Sequence, residues 1–349
     1  MTLHERIHGC LLGTAIGDAV GLRREGLSRR RALRLYGSTL MPCLILGRGY
    51  CSDDTEHTLM VGRALALSGE NINRFEAVFA GELKRWLLTI PAGIGFATLR
   101  ACLKLLLGFG PNRSGVFSAG NGPAMRSAII GVCAQDEDQL TNFVRASTRL
   151  THTDSKAEEG ARLVAQAARL GIAAANQSPI EFLQAAASNA NGSELRDSLD
   201  AAAQALRAGK SCGEFADSQG WARGVNGYVN QTVPAALYCW AASPNDFRES
   251  VEHAVLLGGD TDTIAAITGA ISGANLGCSA IPSSWIERLA EWPRTVKWIE
   301  QLSRTLADSI DRRVPVKPPS MQWLATLPRN LAFASVVICL GLRRLLPPY

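Results

Sequence analysis

Apolar residues recur at three- and four-residue spacing along much of the chain, with charged residues between them. That spacing is typical of helices that bury one face. It covers residues 55–67, 74–88, 94–107, 157–175, 195–208 and 294–310. No run alternates apolar and polar residues as a half-buried strand would, and the three Asn-Gly pairs are not flanked by such runs. The pattern therefore predicts an all-α fold, a compact multi-helix bundle.

Glycine and proline mark where the helices are interrupted. Breaks fall at residues 37–50, 108–120 and 209–227, and the sharpest is RRVPVKPP at 312–319, where three prolines in eight residues cannot continue a helix. We expect one helical domain over residues 1–311, then a Pro-rich linker and apolar tail over 312–349. The apolar run at 331–342 has 12 residues, fewer than the ~20 that span a bilayer. We therefore expect no transmembrane segment, and either a docked or an interfacial terminal helix.

Composition narrows the class of protein. Hydrophobic residues make up 47% of the 349 residues and charged residues only 19%, which excludes disorder over most of the chain. A net charge of +5 is too small to indicate a nucleic-acid partner without a supporting motif. The nine cysteines form no C-x-x-C pair and sit mostly among apolar neighbours, which favours a reduced, cytoplasmic protein.

Two segments carry a glycine at every fourth residue, along one face of a helix. These glycines are Gly9, Gly13, Gly17 and Gly21 in the first segment, and Gly269, Gly273 and Gly277 in the second. A glycine inside a helix costs about 1 kcal/mol relative to alanine, so something must offset each stripe. Packing alone accounts for the stripes if two helices cross with their backbones nearly in contact.

Acidic side chains cluster at two predicted helix starts, SDDT at 52–55 and GGDTDT at 258–263. Each cluster has a purely structural interpretation, because Asp53 with Glu56 fits a capping box and Asp260 fits an N-cap. One carboxylate is enough to cap a helix, however, and neighbouring carboxylates repel unless they are solvated or neutralised. Carboxylate and hydroxyl oxygens are the ligands that Mg²⁺ or Mn²⁺ takes.

If the helix crossing brings both helix starts together, the two clusters form one site that could hold two metal ions. A His/Cys zinc site is not indicated, because the five histidines are scattered and none is paired with cysteine at ligand spacing. A third element, SAGNGPAMR at 118–126, is either a cradle for a phosphate group or a plain capped helix start. His152, in LTHTD at 150–154, is a polar residue between two helices, where a structural role is commoner than a catalytic one.

Five blocks occur in one order: GCLLGTAIGDAVG followed by Glu25, then SDDTEHTLM, SAGNGPAMR, LTHTD, and GYVNQTVPAALYCW with LGGDTDTIAAITGAISGA. Together they span residues 9–274, and in this order they resemble the ADP-ribosylglycohydrolase family. That family includes dinitrogenase-reductase-activating glycohydrolases and ADP-ribosylarginine hydrolases. The resemblance implies an all-α fold with a dinuclear Mg²⁺ or Mn²⁺ centre at the bottom of an ADP-ribose cleft.

The resemblance also implies roles for individual residues. The metal ligands would be Ser52, Asp53, Asp54, Asp260, Asp262 and Thr263. The catalytic carboxylates would be Glu25, which matches an acidic residue near the metals and the reacting ribose, with Asp54 and Asp262. The loop that holds ADP-ribose would include Ser118, Gly120, Asn121 and Gly122. His152 matches a histidine near the ligand, and Tyr228 matches an aromatic position that lines the cleft.

The chain departs from the family pattern at two positions. Ser52 stands where the family usually has threonine, so the hydroxyl group is kept. Gly93 stands where many members have an aspartate that some use in the mechanism. Glycine cannot supply a carboxylate, so we expect proton transfer to fall to Glu25 or to a metal-ligating aspartate, and substrate preference to differ from that of those members.

We therefore expect a hydrolase that removes ADP-ribose from protein side chains, most readily from an arginine nitrogen. The alternative is a non-catalytic protein that binds ADP-ribose or blocks a toxin as an immunity protein. The expected partners are an ADP-ribosylated protein and free ADP-ribose, and the biological setting could involve an ADP-ribosylating toxin or a nitrogenase-type target. The arginines at 23–34 could steer an anionic ligand, although a solvated face is the commoner role for such a run.

Overall fold

Helices and their connecting loops make up the computed structural model, which describes residues 1–170 and 177–347. Within those residues there is no β-strand beyond isolated bridges between loops, which confirms the all-α prediction. The helices are α1 Leu3–Gly21, α2 Arg29–Tyr36, α3 Asp53–Ser68, α4 Ile72–Leu88, α5 Phe96–Leu106, α6 Pro111–Ser114, α7 Ala128–Cys133, α8 Glu137–Arg149, α9 Ser155–Arg169, α10 Pro179–Ser188, α11 Ser193–Arg207, α12 Cys212–Ser218, α13 Val229–Ala242, α14 Phe247–Leu256, α15 Thr261–Leu276, α16 Ser283–Ile286, α17 Val296–Arg312 and α18 Trp323–Arg344.

The six segments predicted from hydrophobic periodicity correspond to α3, α4, α5, α9, α11 and α17, and all their predicted bounds except the end of the 157–175 segment are within two residues of the observed ones. The segment predicted over 157–175 extends beyond α9, and its residues 171–175 lie outside the described residues. The break predicted at 209–227 contains the seven-residue helix α12. All nine cysteines are free thiols.

Helices α1 and α15 cross at the centre of the bundle with their backbones in contact. They run antiparallel, so that Gly9 faces Gly273 and Gly13 faces Gly269. A Cβ atom added to Gly13 would lie 2.2 Å from the carbonyl oxygen of Gly269, a separation that no side chain could occupy. The glycines inside the two helices are therefore a packing requirement, as the sequence predicts, whereas Gly277 lies just after α15 with φ of 82° and faces Met1.

The antiparallel crossing brings the C-terminal end of α1 beside the N-terminal end of α15. The hydroxyl of Thr261 donates to the carbonyl of Gly21 at 2.9 Å, and the amide of Gly26 donates to the carbonyl of Gly259 at 2.7 Å. Gly259 has φ of 80°, and a Cβ there would lie 1.9 Å from the carbonyl oxygen of Val225. The loop after α1 is thus held against the acidic start of α15.

Helix α18 docks on the bundle after the proline-rich segment. Phe333 is buried against Leu22 and Leu44, and Thr326 and Asn330 are also buried. The helix has 22 residues, and its most apolar 18-residue window has a mean hydropathy of 1.5, with 17% of that window buried. Among the described helices, α18 is therefore long and apolar enough to cross a membrane by length and composition. The helix is docked, which is one of the two alternatives that the sequence predicts, and it is longer than the 12-residue apolar run because it continues through Pro328 to Trp323.

Candidate active-site cleft

A cleft of about 340 Å³ opens where the ends of α1, α3 and α15 converge, a volume in the range of small-molecule sites. The predicted site residues that line it are Glu25, Asp53, Asp54, Ser118, Gly120, Asn121, Gly122, His152, Asp260, Asp262 and Thr263. Residues separated by more than two hundred positions in the chain therefore share one cavity. Ser52 and Tyr228 are the two predicted site residues that are not among its lining.

Asp18 fixes the start of α3 against α1. Its carboxylate is fully buried and accepts hydrogen bonds from the backbone amide of Ser52 at 2.9 Å and of Thr55 at 3.2 Å, and from the Thr55 hydroxyl. Burial raises the pKa of Asp18 to about 7. Sequence analysis did not single out this residue, and its signal is an acid inside a glycine-striped apolar helix.

Ser52 caps α3 and orients Asp54. Its hydroxyl accepts from the amide of Asp54 at 3.3 Å and donates to Oδ2 of the same carboxylate at 3.0 Å. The Thr263 hydroxyl donates to that oxygen at 3.3 Å, which joins the two acidic clusters directly. The capping box expected between Asp53 and Glu56 is absent, because the cap is Ser52 and Glu56 ion-pairs with a buried arginine in the interior.

Two carboxylate oxygens of the cleft have no hydrogen-bond partner among the described residues. They are Oδ1 of Asp54 and Oδ1 of Asp262, and both are buried. Burial and neighbouring carboxylates raise the pKa of Asp53, Asp54 and Asp262 well above the ordinary value. An oxygen-rich, negatively charged set of this kind fits a hard divalent cation such as Mg²⁺ or Mn²⁺.

The carboxylates are not already gathered around a single point. Across residues 1–170 and 177–347, no three His, Cys, Asp or Glu side chains form a ready-made metal site. Protein hydrogen bonds account for part of this arrangement, because Oδ2 of Asp54 faces two hydroxyls and Oδ2 of Asp260 faces an amide. These donors hold the carboxylates in place, and the two unpartnered Oδ1 atoms of Asp54 and Asp262 are left free for a cation.

Asp260 stands at the N-terminus of α15 but does not cap it, contrary to its structural interpretation. Its Oδ2 accepts a 2.6 Å hydrogen bond from the side-chain amide of Asn121, which also donates to the Thr232 hydroxyl at 3.1 Å. The backbone amide of Asn121 donates to the carbonyl of Gly227 at 3.0 Å. The glycine-rich loop is therefore anchored to the acidic cluster and to the start of α13. That loop leads into a 3₁₀ turn at Ala124–Arg126 and then α7, rather than opening a helix directly.

His152 packs against the glycine-rich loop. A Cβ atom on Gly120 would lie 3.1 Å from Nε2 of His152, and one on Gly122 would lie 3.1 Å from Cε1, so larger residues would crowd the ring. The ring is buried, and burial together with the charge of Arg126 lowers the pKa of His152 to about 3. Its imidazole is therefore neutral at physiological pH.

Arg126 hydrogen-bonds both the glycine-rich loop and the residues near His152. It is fully buried and donates to the carbonyl of Gly122 at 3.0 Å, to the carbonyl of Ser147 at 2.9 Å and to the hydroxyl of Thr151 at 2.7 Å. The Thr151 hydroxyl in turn contacts Nδ1 of His152 at 2.8 Å. The final residue of the SAGNGPAMR block thus positions both the loop and the histidine.

Glu25 lines the cleft from the exposed loop that follows α1. Partial desolvation and the charge of Asp260 raise the pKa of its carboxyl group, and the charge of Arg344 opposes that shift. Arg344 also donates to the Glu25 backbone carbonyl at 2.8 Å. A carboxyl group with a raised pKa is suited to carrying a proton.

The rim of the cleft is formed partly by Gly93 and Phe96. A Cβ atom on Gly93 would meet nothing within 4 Å, so the missing aspartate of the family leaves open space. The Phe96 ring is 86% exposed, and sequence analysis did not single it out. Tyr228 lies apart from the lining, where its hydroxyl donates to Glu194 at 2.5 Å and accepts from Lys156 at 2.8 Å.

The sequence also matches a known protein family. The family profile of ADP-ribosylglycohydrolase matches residues 1–315. The chain belongs to the ADP-ribosylglycohydrolase family. It is 30% identical to the ADP-ribosylhydrolase ARH3 of Gallus gallus, over 85% of this chain and 92% of the relative.

Other family members are similar over comparable lengths. The chain is 27% identical to the ADP-ribosylarginine hydrolase Tri1 of Pseudomonas putida, over 88% of this chain and 78% of the relative. A solved ADP-ribosylglycohydrolase-related protein complex has 26% identity and a TM-score of 0.66, covering 88% of this chain and 98% of the other. The family places the protein among hydrolases that act on ADP-ribose linkages and are generally metal-dependent.

Proposed function

We propose that this family member hydrolyses the N-glycosidic bond between ADP-ribose and an arginine side chain of a target protein, with two Mg²⁺ or Mn²⁺ ions as cofactors. The proposal rests chiefly on the two unpartnered carboxylate oxygens, Oδ1 of Asp54 and of Asp262, buried in the cleft. Buried charges without partners are costly. A metal-dependent site gives these oxygens a purpose that a helical scaffold or a simple binding protein would not need.

The residues that would hold the ions lie at the starts of α3 and α15. They are Ser52, Asp53, Asp54, Asp260, Asp262 and Thr263. When bound, the ions would supply charge stabilisation at the ribose hydroxyls and lower the pKa of a nearby water. Asp18 contributes indirectly by holding the backbone of Ser52 and Thr55.

Other residues of the cleft would transfer the proton and bind the substrate. In hydrolysis, a water oxygen forms a bond to the anomeric carbon as the carbon–nitrogen bond breaks, and the proton from water ends on the leaving nitrogen. Glu25, with its raised pKa, is the group that we assign to moving that proton. The backbone of the glycine-rich loop, with Asn121 at its centre, would hold the diphosphate, and neutral His152 would pack beside the ligand without adding charge.

The acidity of the cleft favours a cationic leaving group. A guanidinium nitrogen leaves only when it stays protonated, and a cluster of carboxylates both attracts the cation and helps to hold its proton. The open space at Gly93 leaves room for the planar guanidinium beside Glu25. The similarity to the ADP-ribosylarginine hydrolase Tri1 supports the same linkage.

A second candidate linkage follows from a different similarity. The chain is 30% identical to the ADP-ribosylhydrolase ARH3 of Gallus gallus, whose name does not specify arginine. Hydrolysis of an O-glycosidic linkage to a hydroxyl side chain would use the same cleft with a neutral leaving group. We retain it as the alternative substrate class.

Peptides carrying one defined ADP-ribosyl linkage, to arginine or to serine, distinguish the two classes. Each peptide would be incubated with the protein in Mg²⁺, in Mn²⁺ and in a chelator, and free ADP-ribose would be measured. We expect release from the arginine peptide only when metal is present. Release from the serine peptide alone would overturn the arginine assignment. Tight ADP-ribose binding without turnover of either peptide would favour the non-catalytic alternative.

The cellular setting follows from the chemistry of the chain. The nine free thiols suit a reducing compartment, and we propose that the protein acts in the cytoplasm. There its partners would be an ADP-ribosylated protein and the ADP-ribose that it releases. A target modified by an ADP-ribosylating toxin and a nitrogenase-type target are both compatible with the cleft.

A further inference from the structure

Helix α18 presents its apolar side to solvent. Its buried side carries Thr326, Asn330 and Phe333, spaced by three or four residues. Its outer side carries apolar residues whose exposed fractions are large, namely Leu324 (92%), Leu331 (50%), Ile338 (62%) and Leu342 (60%). A surface helix of a water-soluble bundle normally shows the reverse arrangement. A continuous apolar face of this length on a surface marks an interaction site.

Polar contacts on the buried side hold α18 against the protein. Arg329 ion-pairs with Glu291 at 2.6 Å and lies 3.6 Å from Glu56, and the Asn330 amide donates to the carbonyl of Thr89 at 3.0 Å. Moving the helix into a lipid interior would strip Arg329 of these partners and leave buried carboxylates short of a cation, which is costly on both sides. The helix is therefore built to lie along a surface rather than to cross a membrane.

Positive charge accumulates around this helix. Residues 312–349 contain no aspartate or glutamate, and their basic residues are Arg312, Arg313, Lys317, Arg329, Arg343 and Arg344. The C-terminal end of α18 also meets α2, because Arg31 donates to the carbonyl of Arg344. Helix α2 itself carries four arginines and no acid, and Arg30 and Arg343 are exposed. The apolar face thus ends beside a basic cluster.

We propose that the outer face of α18, together with this basic cluster, binds the surface of an anionic phospholipid bilayer, with the helix lying in the interfacial plane. An apolar face inserts among acyl chains while adjacent arginines meet phosphate headgroups. A second copy of this chain fits less well, since its own α18 would offer apolar residues but no acids to pair with the arginines. The inference is independent of the linkage that the cleft hydrolyses.

Exposed apolar residues also lie in the loop that packs beside α18 and leads to the cleft. The contact between Asn330 and Thr89 places Leu88 and Ile90 beside the helix, and these side chains are 65% and 59% exposed. The same loop leads to Gly93 and then to Phe96 at the rim of the cleft. Membrane contact through α18 would therefore occur on the side of the molecule next to that rim.

Sedimentation with lipid vesicles tests the proposal on the full-length protein. Vesicles of phosphatidylcholine alone would be compared with vesicles of equimolar phosphatidylcholine and phosphatidylglycerol. We expect binding that depends on phosphatidylglycerol and weakens as salt rises. The double variant Ile338→Glu/Leu342→Glu should bind at least about tenfold more weakly, because it removes apolar burial and adds negative charge. Arg30→Gln and Arg343→Gln should each weaken binding about fivefold.

A matched control uses exposed leucines elsewhere. Leu103 and Leu107 on and after α5 are 46% and 78% exposed, and Leu103→Glu/Leu107→Glu should bind vesicles like the wild type. Thermal unfolding and ADP-ribose release in solution should be unchanged in the α18 double variant, which shows that it folds.

Three results would overturn the proposal. The first is equal binding by the wild type and the α18 double variant, or equal binding to both kinds of vesicle. The second is retention of the protein on vesicles after an alkaline carbonate wash, which identifies a spanning helix. The third is a dimer in lipid-free solution that the double variant dissociates, without vesicle binding by the wild type, which identifies a second copy as the occupant.

Discussion

The side-chain amide of Asn121 donates a 2.6 Å hydrogen bond to Oδ2 of Asp260, and so ties the glycine-rich loop to the acidic start of α15. The two residues are separated by more than a hundred positions, and each belongs to a different proposed function, ligand binding and metal binding. Because a hydrogen bond to a charged group is worth about 1.5–3 kcal/mol, this contact makes the two functions interdependent.

Asn121→Ala should therefore weaken both functions at once. We expect a rise in the Kd for ADP-ribose and in the Kd for Mg²⁺, each by about tenfold, with little change in thermal stability. Isothermal titration calorimetry measures both constants on the same preparation. Asn142→Ala, on the exposed face of α8, is the control and should change neither. Weakened ADP-ribose binding with unaltered Mg²⁺ binding would show that the loop and the cluster act separately.

Gly13→Ala tests whether the α1–α15 crossing requires glycine. The new methyl group would lie 2.2 Å from the carbonyl oxygen of Gly269, so the helices must separate, and we expect a loss of about 3 kcal/mol or more in the free energy of unfolding. Denaturant unfolding followed by circular dichroism measures this loss.

Gly81→Ala is the matched control within α4. Its added methyl group would meet only the end of the Arg85 side chain at 4.0 Å, so this substitution should be neutral or stabilising by about 0.5–1 kcal/mol. If Gly13→Ala were as stable as Gly81→Ala, backbone contact would not explain the stripe.

The sequence predicts best those helices that bury only one face, because their hydrophobic pattern depends on their own residues. Helices α4 and α17 lie on the surface with one buried face, so their hydrophobic period is plain in the sequence. Helices α1 and α15 are buried on nearly all sides and lack that period. Their glycine spacing nevertheless revealed the crossing, because close approach demands small residues. Helix α12 was missed, as seven residues give too little periodicity.

The site was less predictable, because its geometry depends on long-range contacts. The acidic clusters were identified from their own repulsion, but that Asp18 would hold Ser52 cannot be read from a sequence. Nor can a sequence show that the hydroxyl of Tyr228 is hydrogen-bonded to Glu194 on a different helix. The length of α18 was underestimated because polar residues lie on its buried side. The apolar run in the sequence therefore covers only part of the helix.

Gly93→Asp tests how proton transfer is assigned in a chain that lacks the family aspartate. A Cβ atom at Gly93 faces open space, although its φ of 81° disfavours side chains, and aspartate tolerates that conformation better than most residues. We expect Glu25→Gln to lower kcat by about 10²–10⁴-fold. Adding Gly93→Asp to that variant should restore part of the lost rate.

The measurement is the pH profile of kcat for single and double variants on the arginine-linked peptide. If the rate is restored, the acidic side of the pH profile of kcat should also shift, because the new carboxyl group has its own pKa. Glu25→Gln with wild-type kcat would remove Glu25 from the mechanism. Gly93→Asp in the wild-type background controls for strain at the rim.

Metal binding should be visible without any reaction. Burial and mutual repulsion raise the pKa of Asp53, Asp54 and Asp262, so the metal-free protein carries an unfavourable cluster that a divalent cation would relieve. We expect Mg²⁺ or Mn²⁺ to raise the Tm of the wild type, and a chelator to reverse the increase. Differential scanning calorimetry gives both temperatures.

Asp54→Asn should abolish stabilisation by metal without destabilising the metal-free fold. It removes one repelling carboxylate, so the metal-free variant should melt at or above the temperature of the metal-free wild type, while the increase with Mg²⁺ should be lost. Asp308→Asn, on α17 away from the cleft, should keep the full increase. An Asp54→Asn variant that still gains stability from Mg²⁺ would place the cation elsewhere.

Arg329→Met tests the buried ion-pair network that fixes α18. Arg329 and Arg294 share the carboxylates of Glu56 and Glu291, and removing one cation leaves two buried carboxylates with a single cationic partner. We expect a loss of about 3–5 kcal/mol in the free energy of unfolding. Arg304→Met, whose exposed pair with Glu300 is worth about 0–1 kcal/mol, is the control. Because Arg329 also donates to the carbonyl of Cys51, directly before Ser52, Mg²⁺ affinity should fall in the same variant. Equal stability of the two variants would mean that this ion-pair network does not hold α18.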